Sequence, residues 1–122
     1  MSGWVNWNIC GWVEVAGIQF RRDDALWAFR KAKEGDGFEL KRDHQNPHDP
    51  NAIEVWFKGR HVGFIDRDIA ALAATNFPSD MPLKAEYISG WSGGNGFVRL
   101  TIQPLMPNSK SRKDNGWDIA KR

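Results

Sequence analysis

No stretch of this chain keeps one hydrophobic rhythm for long, and that discontinuity limits the folds open to it. In residues 13–20, Ala16, Ile18 and Phe20 fall on one face and Val13, Val15, Gly17 and Gln19 on the other. Phe38 and Leu40 alternate with Glu39 and Lys41, as do Ile53, Val55 and Phe57 with Glu54, Trp56 and Lys58. Residues 61–65, then Leu83, Ala85 and Tyr87, then Val98, Leu100 and Ile102 continue the pattern. A period of two puts successive side chains on opposite faces of a strand. Two segments change to a helical rhythm. Ala25, Phe29 and Ala32 follow a capping Asp23 or Asp24, and Ile69, Leu72 and Ala73 follow a capping Asp66 in a helix from Arg67 to about Asn76, with Pro78 preventing continuation. Turns punctuate the runs at Gly35-Asp36-Gly37, at Gly59, across residues 89–96, and in Asn46-Pro47-His48-Asp49-Pro50-Asn51, which can be neither helix nor central strand. The expectation is a mostly β fold with two short helices, about six strands closing into a small OB-like barrel. Connections this tight exclude a repeated parallel crossover sheet.

At 122 residues the chain is one domain long and shows no internal repeat. Its single cysteine, Cys10, cannot form an internal bridge and reads as a small packed side chain. No apolar run reaches the roughly 18 residues of a membrane helix, and residues 1–10 lack a signal peptide's cationic start and apolar core. The expectation is an intracellular protein with no membrane partner. Residues 1–12 read as an N-terminal extension, 13–105 as the barrel domain and 106–122 as a basic tail, flexible except where its Trp117 could dock.

Charge and aromatics point in different directions. The net charge is +2, while the chain carries seven tryptophans and seven phenylalanines against one tyrosine. Residues 105–122 hold Lys110, Arg112, Lys113, Lys121 and Arg122 against Asp114 and Asp118, so the barrel region itself is slightly acidic. A protein that coats polyanions carries a basic face, which here could arise only by local clustering.

The most specific segments are Val15-Ala16-Gly17-Ile18, the run from Phe38 through Asn46-Pro47-His48-Asp49-Pro50-Asn51-Ala52-Ile53 to Val55, Gly59-Arg60-His61-Val62-Gly63-Phe64-Ile65, and Ile69-Ala70-Ala71-Leu72. Over residues 13–105 the chain resembles the HIRAN domain, a module of Swi2/Snf2-type fork-remodelling ATPases that also occurs as short bacterial and phage proteins. The resemblance implies an OB-like barrel that binds single-stranded DNA and holds its free 3′-hydroxyl end, in repair, replication or phage DNA handling, and hence a bacterial or phage-infected cytoplasm. It carries a DNA-binding role to Gln19, Phe20, Asn46, His48, Asp49, Arg67 and Phe97. Phe20 and Phe97 match positions where aromatics stack on bases, His48 stands where the family usually has tyrosine, and Arg67 matches a basic position. Gln19 replaces an arginine, and Phe64 a polar residue. The segment at residues 23–34 is longer than the family's loop and could wall the groove or meet a partner.

The residues give that role a physical basis and also a plainer one. A carboxylate at Asp49 can accept a hydrogen bond from a ribose hydroxyl, whereas an internal phosphodiester has no hydroxyl to donate and brings repelling charge. Equally, Asn46 and Asp49 could simply satisfy turn backbone, and Asn51 reads as the start of the next strand. Phe20 shares the Ile18 face, internal in most barrels, whereas Phe97 alternates away from Val98, Leu100 and Ile102. Arg67 could pair with a phosphate near a helix N-terminus or be a solvated first-turn residue. Trp56 and Trp91 could be groove-wall residues or interface anchors, with packing the default reading for each. Two rival functions are a protein-interaction module within a DNA-processing complex and a small metal-dependent nuclease using Asp43, His44, His48 and Asp49. Against the nuclease, these donors flank proline turns and no second ligand cluster has recognisable spacing. No catalytic residue, metal site or cofactor is expected.

Overall fold

A computed structural model describes residues 3–108 of the chain. Trp117 and the basic side chains of the tail lie outside the described residues. The elements are β1 (Trp4–Asn6), β2 (Val13–Glu14), a 3₁₀ turn (Ile18–Phe20), α1 (Arg22–Lys31), β3 (Gly37–Arg42), β4 (Ile53–Phe57), β5 (Arg60–Phe64), α2 (Arg67–Asn76), β6 (Leu83–Ser92) and β7 (Val98–Pro107). The strands form one antiparallel sheet in the order β1-β7-β6-β3-β4-β5, with β2 also paired to β7. In register, Leu40 lies opposite both Val55 and Leu83, Phe38 opposite Ala85, and Tyr87 opposite Ile102. The inward rows meet in an aromatic stack, Phe38 being 4.5 Å from Phe57 and 5.7 Å from Tyr87 between ring centroids.

The fold is mostly β with two short helices, but the expected OB-like barrel is corrected: the sheet does not close. Closure would need β2 to run on beside β5. Instead it ends at Glu14, and beyond it one isolated bridge, Ala16 with Phe64, touches β5. At Gly17 the backbone turns left-handed, with φ 72°, a conformation that costs glycine little, and the chain coils into the 3₁₀ turn. The alternation over residues 13–20 therefore mimics a strand across a turn. The gap is covered by α1, which packs on β5 at one end and on β6 and β7 at the other. Fully buried Ala25 and Ala28 let the helix approach closely, while Phe29 is half-buried. Asp23 and Asp24 sit in the first turn of α1 rather than at its cap.

The second helix matches its expected bounds, Arg67–Asn76, and Asp66 caps it by accepting from the backbone N–H of Asp68 and Ile69. Its buried face is Ala70 and Ala73, and Leu72 points outward. Strand β1 was not expected. Three residues are too few to show a rhythm, and the strand is held by pairing with Leu105, Met106 and Pro107. Just beyond it, buried Trp7 donates its indole N–H to the Leu105 carbonyl at 2.9 Å. Strands β6 and β7 also run further than the glycines at 89–96 suggested, narrowing the loop to residues 93–97. Among the described residues, no helix is long and apolar enough to cross a membrane.

Gly63 makes the Ala16 bridge possible. A Cβ at position 63 would collide with the Ala16 carbonyl oxygen and lie 2.5 Å from Val15 Cγ1. Backbone cannot yield as a side-chain tip can, so Gly63→Ala is expected to destabilise the domain by about 1–3 kcal/mol. Chemical denaturation checks this, and an unchanged midpoint would show that the bridge is dispensable.

Candidate functional site

The loop between β3 and β4 is built by its own polar side chains. Asp43 N–H donates to the Ala52 carbonyl at 2.8 Å and closes the base. Asn46 Oδ1 accepts from the backbone N–H of His48 at 2.9 Å and of Asp49 at 3.1 Å. Asp49 Oδ1 accepts from Asn51 N–H at 2.9 Å. These are Asx turns, which substitute a side-chain oxygen for a backbone acceptor. The turn role considered for Asn46 and Asp49 is therefore real, yet it occupies only one oxygen of the Asp49 carboxylate. Oδ2 has no protein partner among the described residues, and the side chain is half-buried. His48 is exposed beside it. Behind the loop lies a cavity of about 20 Å³, with room for roughly one water, lined by Arg42, His44, Asn51, Ile53 and two α2 alanines. Arg42 bonds the Pro78 carbonyl at 2.9 Å, tying β3 to the segment after α2.

A second group of predicted residues gathers at the 3₁₀ turn. Gln19 and Phe97 line one open cleft of about 300 Å³, with Arg22 and Arg99 on its walls and Val15 and Ile18 among its lining. Phe20 leads from this cleft into a shallow neighbouring depression that shares Gln19 and Arg22. The core alternative for Phe20 fails: its ring is 84% exposed, and Phe97 is 61% exposed. Among the described residues, no side-chain hydrogen bond or ion pair joins this group to the β3–β4 loop, but backbone does. The Ile53 carbonyl, where the loop enters β4, accepts from Ile65 N–H at 2.9 Å, and Phe64 next to it exchanges two hydrogen bonds with Ala16. At strand spacings of about 4.8 Å, the loop's end and the turn's base are roughly 10 Å apart. Arg67 is exposed at the first position of α2 and makes no ion pair among the described residues. The amides beside it are already taken by the Asp66 carboxylate, so helix dipole and Arg67 do not form one anion site.

A scan of protein-family models matches the HIRAN domain over residues 10–81, more than half of the chain and all of the β3–β4 loop, the turn and α2 up to its end. The chain belongs to the HIRAN family. Among solved structures, it is similar to a crystal structure of a Lactobacillus plantarum protein at 22% identity, covering 84% of this chain and 96% of that one with a TM-score of 0.57. It is also similar to the crystal structure of the HIRAN domain of human HLTF, at 21% identity over 95% of each chain with a TM-score of 0.49. The first of these likenesses speaks for the fold. A search of curated proteins finds no match.

In this HIRAN domain Arg22 and Arg99 are cleft residues that sequence reasoning missed. Only its outward parity with Phe97 marked Arg99 in the sequence, and nothing marked Arg22, which stands two residues beyond the turn at the start of α1. Phe64, in place of a polar residue, packs its ring edge-on to His61 at 4.9 Å and lies under Gly17, supporting the turn from below. Trp56 is a packing residue: it stacks on His61 at 5.2 Å, donates its indole N–H to Glu54 at 2.8 Å and carries Lys41 over its ring. Cys10 is half-buried, and that burial pushes its thiol pKa up, away from reactivity. Among the described residues, no group of three or more His, Cys, Asp or Glu could hold a metal ion. In the loop, Asp43 accepts from the Asn46 amide and Asp49 from Asn51, so these carboxylates serve the turn.

His61 is the buried titratable group behind the turn. Its Nε2 lies 2.8 Å from the Gly63 carbonyl, which can only accept, so the neutral ring carries its proton there. Burial pushes its pKa below the usual 6.5, helped by the charge of Arg21 and opposed by the Gly63 hydrogen bond, Glu54 and Asp24. As pH falls through about 6.5, the unfolded chain takes up a proton that the folded one refuses, so stability is lost from there down to the folded value. Thermal unfolding between pH 7.5 and 5.5 is expected to show this decline, and His61→Phe to flatten it. A midpoint that does not move with pH in the native domain would contradict the burial argument.

Proposed function

We propose that this HIRAN domain captures the free 3′-hydroxyl end of single-stranded DNA. The observation that carries the reading is the divided carboxylate of Asp49, with one oxygen holding the loop rigid and the other left for a ligand. A terminal ribose hydroxyl is a neutral donor and suits that oxygen; a terminal phosphate is an anion and is repelled. In this reading Asn46 sets the loop that presents His48 and Asp49, and Arg67 meets a phosphate as a freely solvated cation. Phe20 and Phe97 stack on bases on either side of the Gln19 cleft, each stack worth about 1–3 kcal/mol. Arg22 and Arg99 bring to the cleft the positive charge that Gln19 lacks. With two or three phosphate contacts, the log–log salt slope is about −1.4 to −2. The work falls within DNA repair, replication or phage DNA handling, inside a bacterial or phage-infected cell.

Anisotropy titration of labelled strands with free, 3′-phosphorylated and duplex-blocked ends tests this. The native domain is expected to prefer the free hydroxyl by about tenfold or more, the range of a hydrogen bond to a charged acceptor. Asp49→Asn keeps an oxygen for the Asn51 turn and removes the second acceptor, so it should abolish the preference without unfolding the loop. Equal affinity of the native domain for free and phosphorylated ends would overturn end capture.

A further inference from the structure

The tip of the β6–β7 hairpin carries another exposed ring, which the reading above leaves unused. Trp91 lies within β6, directly opposite Arg99 of β7, and is 55% exposed. Side chains directly opposite each other in an antiparallel pair share a face. The indole and the guanidinium accordingly stand together, 5.7 Å from ring centroid to Cζ. Arg99 in turn lines the cleft with Phe97 and Gln19. The indole leans toward the hairpin tip, since a Cβ built on Gly93 would sit 2.8 Å from its Cη2. Gly93 itself donates its N–H to the Phe97 carbonyl at 2.9 Å. The ring thus covers the step between Arg99 and Phe97, one strand further from the 3₁₀ turn than the cleft.

From this placement we infer that Trp91 is a further nucleobase-stacking platform, beyond Phe20 and Phe97: single-stranded DNA leaving the cleft crosses Arg99, which holds a phosphate, and lays its next base on the indole. The inference rests on the single-strand reading above and extends it to residues outside the segment matched to the family. An indole offers a broad π face to any base, and the neighbouring guanidinium can pair with phosphate bidentately, so the subsite would be tolerant of sequence. It also gives the bound strand a direction, across the hairpin from β7 to β6.

Free 3′-hydroxyl oligonucleotides of increasing length, titrated against the native domain, Trp91→Ala and Trp91→Phe, test the subsite. Native affinity should climb with length and then level off. Trp91→Ala should match the native domain on the shortest strands that bind and be about fivefold or more weaker on long ones, with Trp91→Phe recovering most of the difference. Gly93→Ala, whose methyl displaces the ring without removing it, should weaken long strands alone. If Trp91→Ala tracks the native domain at every length, or loses affinity equally at every length, the platform is overturned while 3′-hydroxyl preference still stands. If the native domain binds no single strand at all, both readings fall together.

Discussion

Two backbone hydrogen bonds between Ala16 and Phe64, made across a residue that has no side chain, organise this domain. Ala16 N–H reaches the Phe64 carbonyl at 2.7 Å and Phe64 N–H the Ala16 carbonyl at 2.8 Å. Because Gly63 leaves room for that approach, residues 15–17 lie against β5, and because Gly17 then turns left-handed, Phe20 is thrown outward. The same pair leaves the sheet open, since one bridge is not a ladder. The opening is sealed by α1 through two buried alanines, so hydrophobic contact does there what hydrogen bonding does in a closed barrel. Openness and site are one feature: the segment that fails to close the sheet is the segment that presents the ring and one wall of the cleft.

The low net charge of +2 fits the proposed task. Coating long DNA needs many phosphate contacts and a broad basic face. Holding an end needs a few rings, a hydroxyl acceptor and charge where the phosphates pass. Within the described residues, that local charge is Arg22 and Arg99 at the cleft, which outweigh Glu14 on the same lining, and Arg67 at α2.

Local chemistry was the legible part of the sequence. Asp66 as a cap, the β4–β5 hairpin and the bounds of α2 follow from short-range rules and stand as expected. The Asn46–Asn51 loop was legible as a polar turn, since Asx chemistry is internal to it. What could not be read was decided by contacts distant in the chain. The alternation of residues 13–20 is equally compatible with strand and with a strand broken at Gly17, and only β5 chooses between them. Likewise Phe20 alternates with the core face but leaves it once the chain coils. Leu72 points outward while Ala70 and the expected Ala73 are fully buried, so tertiary placement rather than side-chain size decides which face α2 turns inward. The third strand of the β6–β7 side, β1, is too short to carry a pattern and exists because β7 has a free edge at Leu105–Pro107. For the site, Arg22 and Arg99 became visible only when the turn and the hairpin were placed on one cleft.

The central claim is that the β3–β4 loop and the ring-lined cleft act as one site on a common frame. It is tested most directly by following backbone amide resonances while a short single strand with a free 3′-hydroxyl is added. The account predicts that amides of His48, Asp49 and Asn51 in the loop and of Gln19, Phe20, Phe97 and Arg99 around the cleft shift together, along one saturation curve. Shifts confined to the cleft, or two groups saturating at different concentrations, would contradict it.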